Sequence, residues 1–317
     1  MPATPSGRDA VAAPMSTTST IPTADFRRGL ALAGIGAVLF SAKAIVAKLM
    51  YRYHVDAVTV LTLRMLFAAP FFAAIAAWQY AKAPPLARRD RAIVVVLGLI
   101  GYYLSSFLDF LGLQYISAGL ERLILFLTPS FVLLISTFAL KRRIAGRQWL
   151  AMLIAYAGIV LVFAHDLSFA GDRVALGTAL VFGSALSYSL YLIGTGELVG
   201  RVGPTRLVAY AMCVSTIACV IQYGVLRPWS GLVDLPSPVY GLSAINAVFC
   251  TVTPVVLTMW AVARIGAPSA SQAGMVGPVS TLFLGAWLLG EPITLWQSAG
   301  CALVMSGMYV LSAQRPA

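Results

Sequence analysis

Four ionisable residues in the first half of the chain lie inside long apolar stretches: Lys43, Arg64, Asp109 and Glu121. A charge that faces lipid near the centre of a membrane helix costs about 2.5 to 3.5 kcal/mol. These side chains are therefore expected to face a shared polar interior, with opposite charges close together. Two kinds of chemistry follow. The cations either bind an anionic group of a ligand or are neutralised by the two acids in structural ion pairs.

Uncharged polar residues extend this candidate site. Tyr102 lies seven residues before Asp109, so the two side chains share one face of a helix. Such a stripe favours a water-filled pathway over lipid. In the second half, hydrogen bonds between helices explain Ser and Thr equally well, so Tyr, Asn and Gln are the better candidates for ligand contacts. The predicted substrate-binding residues are Lys43, Arg64, Tyr102, Asp109, Glu121, Tyr188, Tyr191, Asn246 and Gln272.

Three of the charged residues have structural alternatives. Glu121 lies in the first turn of its helix after Ser117, a candidate N-cap, where the helix dipole favours a carboxylate. Lys43 has a long stem that can extend toward the lipid headgroups. Arg64 either contacts an anionic group of the substrate or forms an ion pair with Asp109 or Glu121. The sequence leaves these choices open.

Three prolines, Pro129, Pro254 and Pro278, fall inside predicted membrane helices. Each frees a backbone carbonyl and allows a bend, so we predict hinges at these positions, although static packing would tolerate the same bends.

Several kinds of chemistry are excluded by composition. His54 and His165 are the only histidines and lie at loop edges, and the four cysteines lie in apolar stretches without metal-type spacing. No phosphate-binding glycine loop is present. We therefore expect no catalytic site, no metal and no cofactor. A membrane-embedded enzyme would have only Asp109 and Glu121 to work with.

The overall composition is that of a membrane protein. The chain is 60% hydrophobic and 10% charged, with a mean hydropathy of +0.87. A water-facing surface needs far more charge. The net charge of +11 would suggest nucleic acid in a soluble chain, but here the basic residues lie between hydrophobic segments and are explained by membrane orientation.

Hydrophobic windows predict ten membrane helices, five in each half. Because five is odd, two tandem copies must lie in the membrane with opposite orientations. The predicted fold is an all-α membrane protein with ten transmembrane helices arranged as two inverted five-helix repeats. The predicted helices are Gly29–Met50, Val55–Trp78, Ala92–Tyr115, Ser117–Leu140, Gln148–Ala164, Leu176–Val199, Thr205–Leu226, Pro238–Ala263, Pro268–Leu289 and Ile293–Ser312.

An internal match supports the duplication. A shift of 149 residues lays Pro129 on Pro278 and Gly158 on Gly307 without a gap. We predict a disordered tail over 1–28, rich in Pro, Ser, Thr and Ala, and repeats over 29–164 and 174–312.

The basic residues give the orientation. With a cytosolic N-terminus, fifteen Lys and Arg lie in cytosolic segments and five lie at the outer ends, namely Lys48, Arg52, Arg122, Arg173 and Arg227. Positive loops stay in the cytosol, so both termini are predicted to be cytosolic.

Two stretches carry a family resemblance: GLQYISAGLERLILFLTPSFVLLISTFALKRR and SASQAGMVGPVSTLFLGAWLLGEPITLWQSAGCALVMSGMYVL. They resemble the two EamA-type repeats of the drug/metabolite transporter superfamily, as does LRMLFAAP around Arg64, and the resemblance covers residues 29 to 312. It implies a ten-helix carrier of the bacterial inner membrane with a central cavity, whose relatives often export amino acids or other metabolites. The first repeat departs from the family pattern, with Lys141 and Arg142 where Gly and Glu are usual.

The sequence thus predicts a secondary transporter that exports small polar metabolites, such as amino acids, by alternating access. Buried cations favour a carboxylate-bearing substrate, and proton coupling through Asp109 or Glu121 is a further hypothesis. No nucleic acid is expected as a partner, and the oligomeric state is left open. The alternative function is a flippase for a lipid-linked substrate or a membrane assembly protein, which would have a groove open sideways to lipid.

Overall fold

The computed structural model describes residues 23–140, 146–170 and 173–312, without the side chains of 23, 138–140, 168–170, 197, 266–268, 271–272 and 312. All regular structure in these ranges is helical, which confirms the predicted all-α class. The helices are α1 Thr23–Tyr51, α2 Ala57–Lys82, α3 Arg88–Gly98, α4 Ser105–Gly112, α5 Ala118–Phe126, α6 Thr128–Leu140, α7 Gly146–Ala170, α8 Arg173–Val202, α9 Pro204–Leu226, α10 Ser230–Val233, α11 Ser237–Ala247, α12 Thr253–Ala273, α13 Val276–Leu284 and α14 Leu295–Ser312.

Eight spans among the described residues are long and apolar enough to cross a membrane. They begin at Ala24 and end at Ile265, and two shorter apolar helices follow, Val276–Leu289 and Leu295–Leu311. The chain is therefore a multi-pass membrane protein.

Two helix interruptions lie at positions that differ from the prediction. The predicted break between Ala263 and Pro268 is helical, because α12 continues to Ala273 and the interruption lies at Gly274 and Met275. The predicted single helix Ser117–Leu140 is interrupted at Leu127, one residue before α6 begins. The predicted tail over 1–28 overlaps α1, which begins at Thr23, and residues 1–22 lie outside the described residues.

Three π-helical turns interrupt the α-helices. Leu99–Leu104 joins α3 to α4, Val248–Val252 joins α11 to α12, and Gly285–Leu289 follows α13. A π turn adds one residue to a helical turn and often lies at a functional site, because it rotates the side chains that follow it. The first two turns begin 149 positions apart, the spacing of the sequence repeat.

The same spacing relates other elements. Arg88 and Ser237, which begin α3 and α11, are 149 positions apart, and so are Gly146 and Leu295, which begin α7 and α14.

Equivalent helices of the two halves pack against each other in antiparallel fashion. In the α7–α14 pair, Gly158 meets Gly300 and Val304, and Gly307 meets Ala151 and Ala155. Higher numbers in one helix thus face lower numbers in the other. A Cβ at Gly158 would lie 2.7 Å from the Gly300 carbonyl oxygen, so glycine is what lets these two backbones approach.

The α2–α9 pair runs the same way. Asp56 caps the start of α2, accepting a 2.9 Å hydrogen bond from Thr59 N, and pairs with Arg227 just beyond the end of α9 at 2.6 Å. At the other end of the pair, Arg206 of α9 donates to the Pro84 carbonyl oxygen. We call the membrane face where α1 begins the Thr23 face, and the other the Lys48 face.

Candidate functional site

A cavity of about 370 Å³, which we call the central cavity, lies between the two halves of the chain. It receives side chains from α1, α2, α4, α5 and α8, and from the π turn that precedes α4. Five of the nine predicted substrate-binding residues line it: Lys43, Arg64, Tyr102, Asp109 and Tyr188.

Lys43 joins the two buried acids. Its Nζ lies 2.5 Å from Asp109 Oδ2 and 3.5 Å from Glu121 Oε1. All three side chains are at most 7% exposed. Opposite charges therefore lie close together, as predicted. Glu121 contacts Lys43 and also lies in the first turn of α5, after the Ser117 cap. Low exposure keeps the pairs little screened by salt.

Arg64 has a different environment. It is 4% exposed, its Nε donates to Thr251 Oγ1 at 2.9 Å, and its guanidinium lies 5.1 Å from the centre of the Phe110 ring. Among the described residues no carboxylate lies within salt-bridge distance, and Arg64 Nη1 is buried without a hydrogen-bond partner. The ion pair that the sequence allowed for Arg64 is therefore absent from this arrangement.

Arg122 is a cavity residue that sequence reasoning missed, since its position placed it among the charges at the outer helix ends. It lines the cavity, with its guanidinium 5.0 Å from the centre of the Phe40 ring. Its Nε is buried without a hydrogen-bond partner in the described part of the chain. The guanidinium packs over Gly277, where a Cβ would lie 2.6 Å from Nη2. The sequence signal that could have identified Arg122 is its position next to Glu121 in an apolar segment.

Three tyrosines form one wall. The Tyr102 ring is 5.0 Å from the Tyr191 ring and 6.4 Å from the Tyr188 ring, both in edge-to-face contact. The Tyr191 hydroxyl donates to the Tyr102 hydroxyl at 3.4 Å. Tyr191 packs beneath the other two, so Tyr102 and Tyr188 present the cavity surface. Aromatic faces of this kind bind apolar or cationic groups.

Asn246 lies behind the cavity wall. It is fully buried, and its Nδ2 is 3.4 Å from the Lys43 carbonyl oxygen. The backbone carbonyl oxygen of Asn246 accepts a hydrogen bond from Thr251 Oγ1 across the second π turn. This turn therefore links Asn246 to Thr251, which accepts a hydrogen bond from Arg64. The side chain of Gln272 lies outside the described residues.

The predicted hinge prolines lie close to helix interruptions. Pro129 is the second residue of α6 and lines the cavity, Pro254 is the second residue of α12, and Pro278 is the third residue of α13. Each thus follows a break or a π turn, where a missing N–H costs little. Their action as hinges stays a prediction.

A wider cavity of about 520 Å³ continues from the central cavity toward the Thr23 face. The two share Phe40, Tyr102, Arg122 and Tyr188, and the wider one extends along α1 to Ala33. At the Lys48 face, hydrogen bonds join the two halves of the chain, and we call this contact the closure.

Glu291 is the centre of that closure. Its Oε1 accepts from Lys48 Nζ at 2.7 Å, and Oε2 accepts from the backbone N of Ala118, at the start of α5, at 3.2 Å. Arg52 adds a bond to the Leu289 carbonyl oxygen. Gly290 makes the turn before it with a φ of +72°, a conformation that glycine adopts readily. The closure therefore joins the two halves of the chain.

A helical membrane protein with a polar cavity between its halves has the architecture of a small-molecule transporter. The comparisons with known proteins agree. The model of the EamA-like transporter family matches residues 27–164 and 175–313. The chain belongs to this family.

The similar proteins carry transporter names. YcbK of Bacillus subtilis, an uncharacterized transporter, is 32% identical over 86% of this chain and 90% of its own length. An uncharacterized transporter of Archaeoglobus fulgidus is 28% identical over 72% of this chain and 79% of its own length. The S-adenosylmethionine/S-adenosylhomocysteine transporter of Chlamydia trachomatis is 25% identical over 62% of this chain and 63% of its own length.

A crystal structure superposes with a TM-score of 0.61 at 16% identity, covering 89% of this chain and 96% of that one, and so shares the fold. The transporter names agree with the expectation that the protein is not an enzyme.

Proposed function

We propose that this protein is a secondary transporter that exports small polar metabolites with a carboxylate group, such as amino acids, by alternating access through the cavity between its halves. The main observation in support is that Arg64 and Arg122 line this cavity, while no carboxylate among the described residues forms a salt bridge with either.

Charge balance in the cavity supports an anionic substrate. Five ionisable groups line or adjoin it: three basic and two acidic. Lys43 engages both acids, so two guanidinium groups remain, each with one buried nitrogen free to donate. A buried charge without a counterion costs several kcal/mol, and a carboxylate that accepts from both arginines removes that cost. We therefore assign the substrate contacts to Arg64 and Arg122, and a structural role to Lys43.

The opposite wall suits the rest of an amino acid. Tyr102 and Tyr188 offer aromatic faces and hydroxyls, and Asp109 offers a carboxylate oxygen, Oδ1, that has no hydrogen-bond partner among the described residues. An ammonium group would be attracted to both. The relative from Chlamydia trachomatis is named for two solutes that both carry an amino-acid head group. This likeness favours the same class here.

The membrane arrangement is part of the proposal. The spacing of 149 residues between equivalent elements and the antiparallel packing of α7 on α14 support two inverted repeats with ten crossings. The basic residues support cytosolic termini and a place in the bacterial inner membrane. The wider cavity would then open to the cytosol, where an exporter takes up its substrate.

Alternating access requires the closure at Lys48 and Glu291 to open while the Thr23 face closes. Pro129, Pro254 and Pro278 adjoin helix breaks that can absorb this bending. Proton coupling through Asp109 or Glu121 would make flux depend on a proton gradient, and a flux indifferent to the gradient would remove this part of the proposal. The polar lining of the central cavity, between the two halves of the chain, favours a carrier over a flippase, which needs a lateral opening to lipid.

The function is tested by counterflow in proteoliposomes with matched solute pairs, each a carboxylate and its neutral carboxamide. We expect the parent protein to exchange carboxylates and to discriminate against carboxamides. Arg122→Gln and Arg64→Gln should each raise the KM for the carboxylate about tenfold to a hundredfold, since a hydrogen bond to a charged group contributes about 1.5 to 3 kcal/mol. Unchanged carboxylate KM values in both variants would reject the proposed site.

A further inference from the structure

A separate pocket of about 340 Å³ lies at the Thr23 face, away from the two cavities described above. It is formed by the end of α2, the linker that follows, the start of α3 and the start of α9. We propose that this Arg206 pocket, lined by Tyr80, Leu86, Arg91, Val95, Arg206 and Val214, binds the phosphate of an anionic phospholipid.

Arg206 is the first reason. It is only 5% exposed, yet no carboxylate lies within salt-bridge distance in the part of the chain that the structure describes. Its Nη2 donates to the Pro84 carbonyl oxygen at 2.8 Å, and its Nε donates to the Tyr210 hydroxyl at 3.2 Å. These neutral acceptors fix the guanidinium in place and leave its charge uncompensated. A buried cation held this way favours an external anion.

The neighbouring charges point to the same ligand. Asp90, the nearby acid, is paired with Arg201 at 2.9 Å. Arg91 lines the pocket, and Lys82, Arg88 and Arg89 lie on the same linker and helix start. A basic pocket between membrane helices attracts anionic headgroups, with about 1 kcal/mol from each basic residue near the surface.

The walls distinguish a lipid from a free anion. Leu86, Val94, Val95 and Val214 line the pocket, and Val95 is 43% exposed on the outer side of α3. Three of the candidate spans, Ala57–Lys82, Arg88–Gly112 and Pro204–Leu226, have their ends here, so the pocket lies at the level of the headgroups. Tyr80, at 66% exposure, has the place of an interfacial aromatic residue. A phosphate at Arg206 and Arg91 would leave acyl chains to run along the apolar wall.

The test is competitive lipid retention measured by native mass spectrometry. The protein is reconstituted in mixed phosphatidylcholine and phosphatidylglycerol nanodiscs and released into detergent, and the bound lipids are counted. We expect phosphatidylglycerol to be retained in preference. Arg91→Gln and Arg206→Gln should each reduce this preference about fivefold, equivalent to the 1 kcal/mol for one basic residue. Arg89→Gln, which removes an exposed charge of the same linker outside the pocket, should leave it nearly unchanged.

Because Arg206 is buried, Arg206→Gln could fail to fold, and the exposed Arg91 keeps the proposal testable on its own. Equal retention of the two lipids overturns the proposal. So does an equal loss in the Arg89→Gln and Arg91→Gln variants, which would indicate a diffuse surface charge. Displacement of phosphatidylglycerol by excess inorganic phosphate would overturn it in favour of a free-phosphate site.

Discussion

Replacement of Lys43 by methionine should destabilise the protein far more than the loss of a surface ion pair. Lys43 Nζ is 2.5 Å from Asp109 Oδ2 and 3.5 Å from Glu121 Oε1, and the three side chains are 7%, 3% and 1% exposed. Removing the cation leaves two buried carboxylates facing each other. Breaking a buried ion pair from one side costs about 3 to 5 kcal/mol, and two acids share this lysine.

The matched control is Lys48→Met. Lys48 also pairs with a carboxylate, Glu291 at 2.7 Å, but both side chains are more than a fifth exposed. Loss of such a pair costs about 0.2 to 1 kcal/mol, and salt screens it. A second variant, Lys43→Met combined with Asp109→Asn and Glu121→Gln, removes all three charges, so it should recover most of the lost stability.

Denaturant unfolding in detergent micelles, at low and high salt, provides the measurement. We expect the order parent, Lys48→Met, neutral triple variant and Lys43→Met, from most to least stable, and only the cost of Lys48→Met should fall with salt. Two results would contradict this reasoning: a loss of stability in Lys43→Met no larger than in Lys48→Met, or a triple variant as unstable as Lys43→Met. Either would show that the cluster is not a desolvated ion pair and would remove the charge-balance argument for the cavity.

Three further predictions concern packing, site geometry and pH. Gly158→Ala should cost about 1 to 3 kcal/mol, because the new Cβ meets the Gly300 backbone, whereas Gly196→Ala, with open space around it, should be neutral or stabilising in the same unfolding assay. Gly277→Ala should raise the substrate KM by displacing the Arg122 guanidinium, with Gly34→Ala as the control; equal KM values would remove Arg122 from the site. Asp56→Asn keeps the cap of α2 but loses the pair with Arg227. Burial alone would raise the pKa of Asp56, but hydrogen bonds from Thr59 and Arg227 hold it below its ordinary value of 3.8. The parent should therefore be more stable than Asp56→Asn above that value, and this advantage should vanish as the pH falls through the lower pKa of the folded state. An advantage that persists at still lower pH would contradict this prediction.

Much of the architecture was accessible from the sequence because a bilayer leaves few choices. Apolar length predicts helices, and the cost of a charge in lipid brings Lys43, Asp109 and Glu121 together. The repeat of 149 residues reappears in the starts of α3 and α11. These features depend on composition and local pattern alone.

What the sequence missed depends on tertiary rotation of the helices. Arg122 was assigned to an outer helix end, but α5 places it over Phe40 and Gly277, inside the cavity. The break after α12 was placed ten residues early, since Ala, Ser and Gly around Pro268 resemble a loop as well as a close-packed helix. The π turn at Leu99–Leu104 was invisible, because hydrophobic periodicity is too coarse to register one extra residue.

Alternating access is tested most directly by bridging the closure. In a cysteine-free background, Ser106→Cys places a thiol in the cavity, and Lys48→Cys with Glu291→Cys allows a short, cleavable bifunctional thiol reagent to join the two halves at the Lys48 face. The Ser106 position is reported by an impermeant thiol label applied from each side of the membrane.

We expect the unbridged protein to be labelled from both sides. The bridged protein should be labelled from the Thr23 face only and should not transport, and cleavage of the bridge should restore both properties. Transport at the parental rate while the bridge is intact, or labelling of the bridged protein from the Lys48 face, would contradict a carrier that opens its cavity to one side at a time.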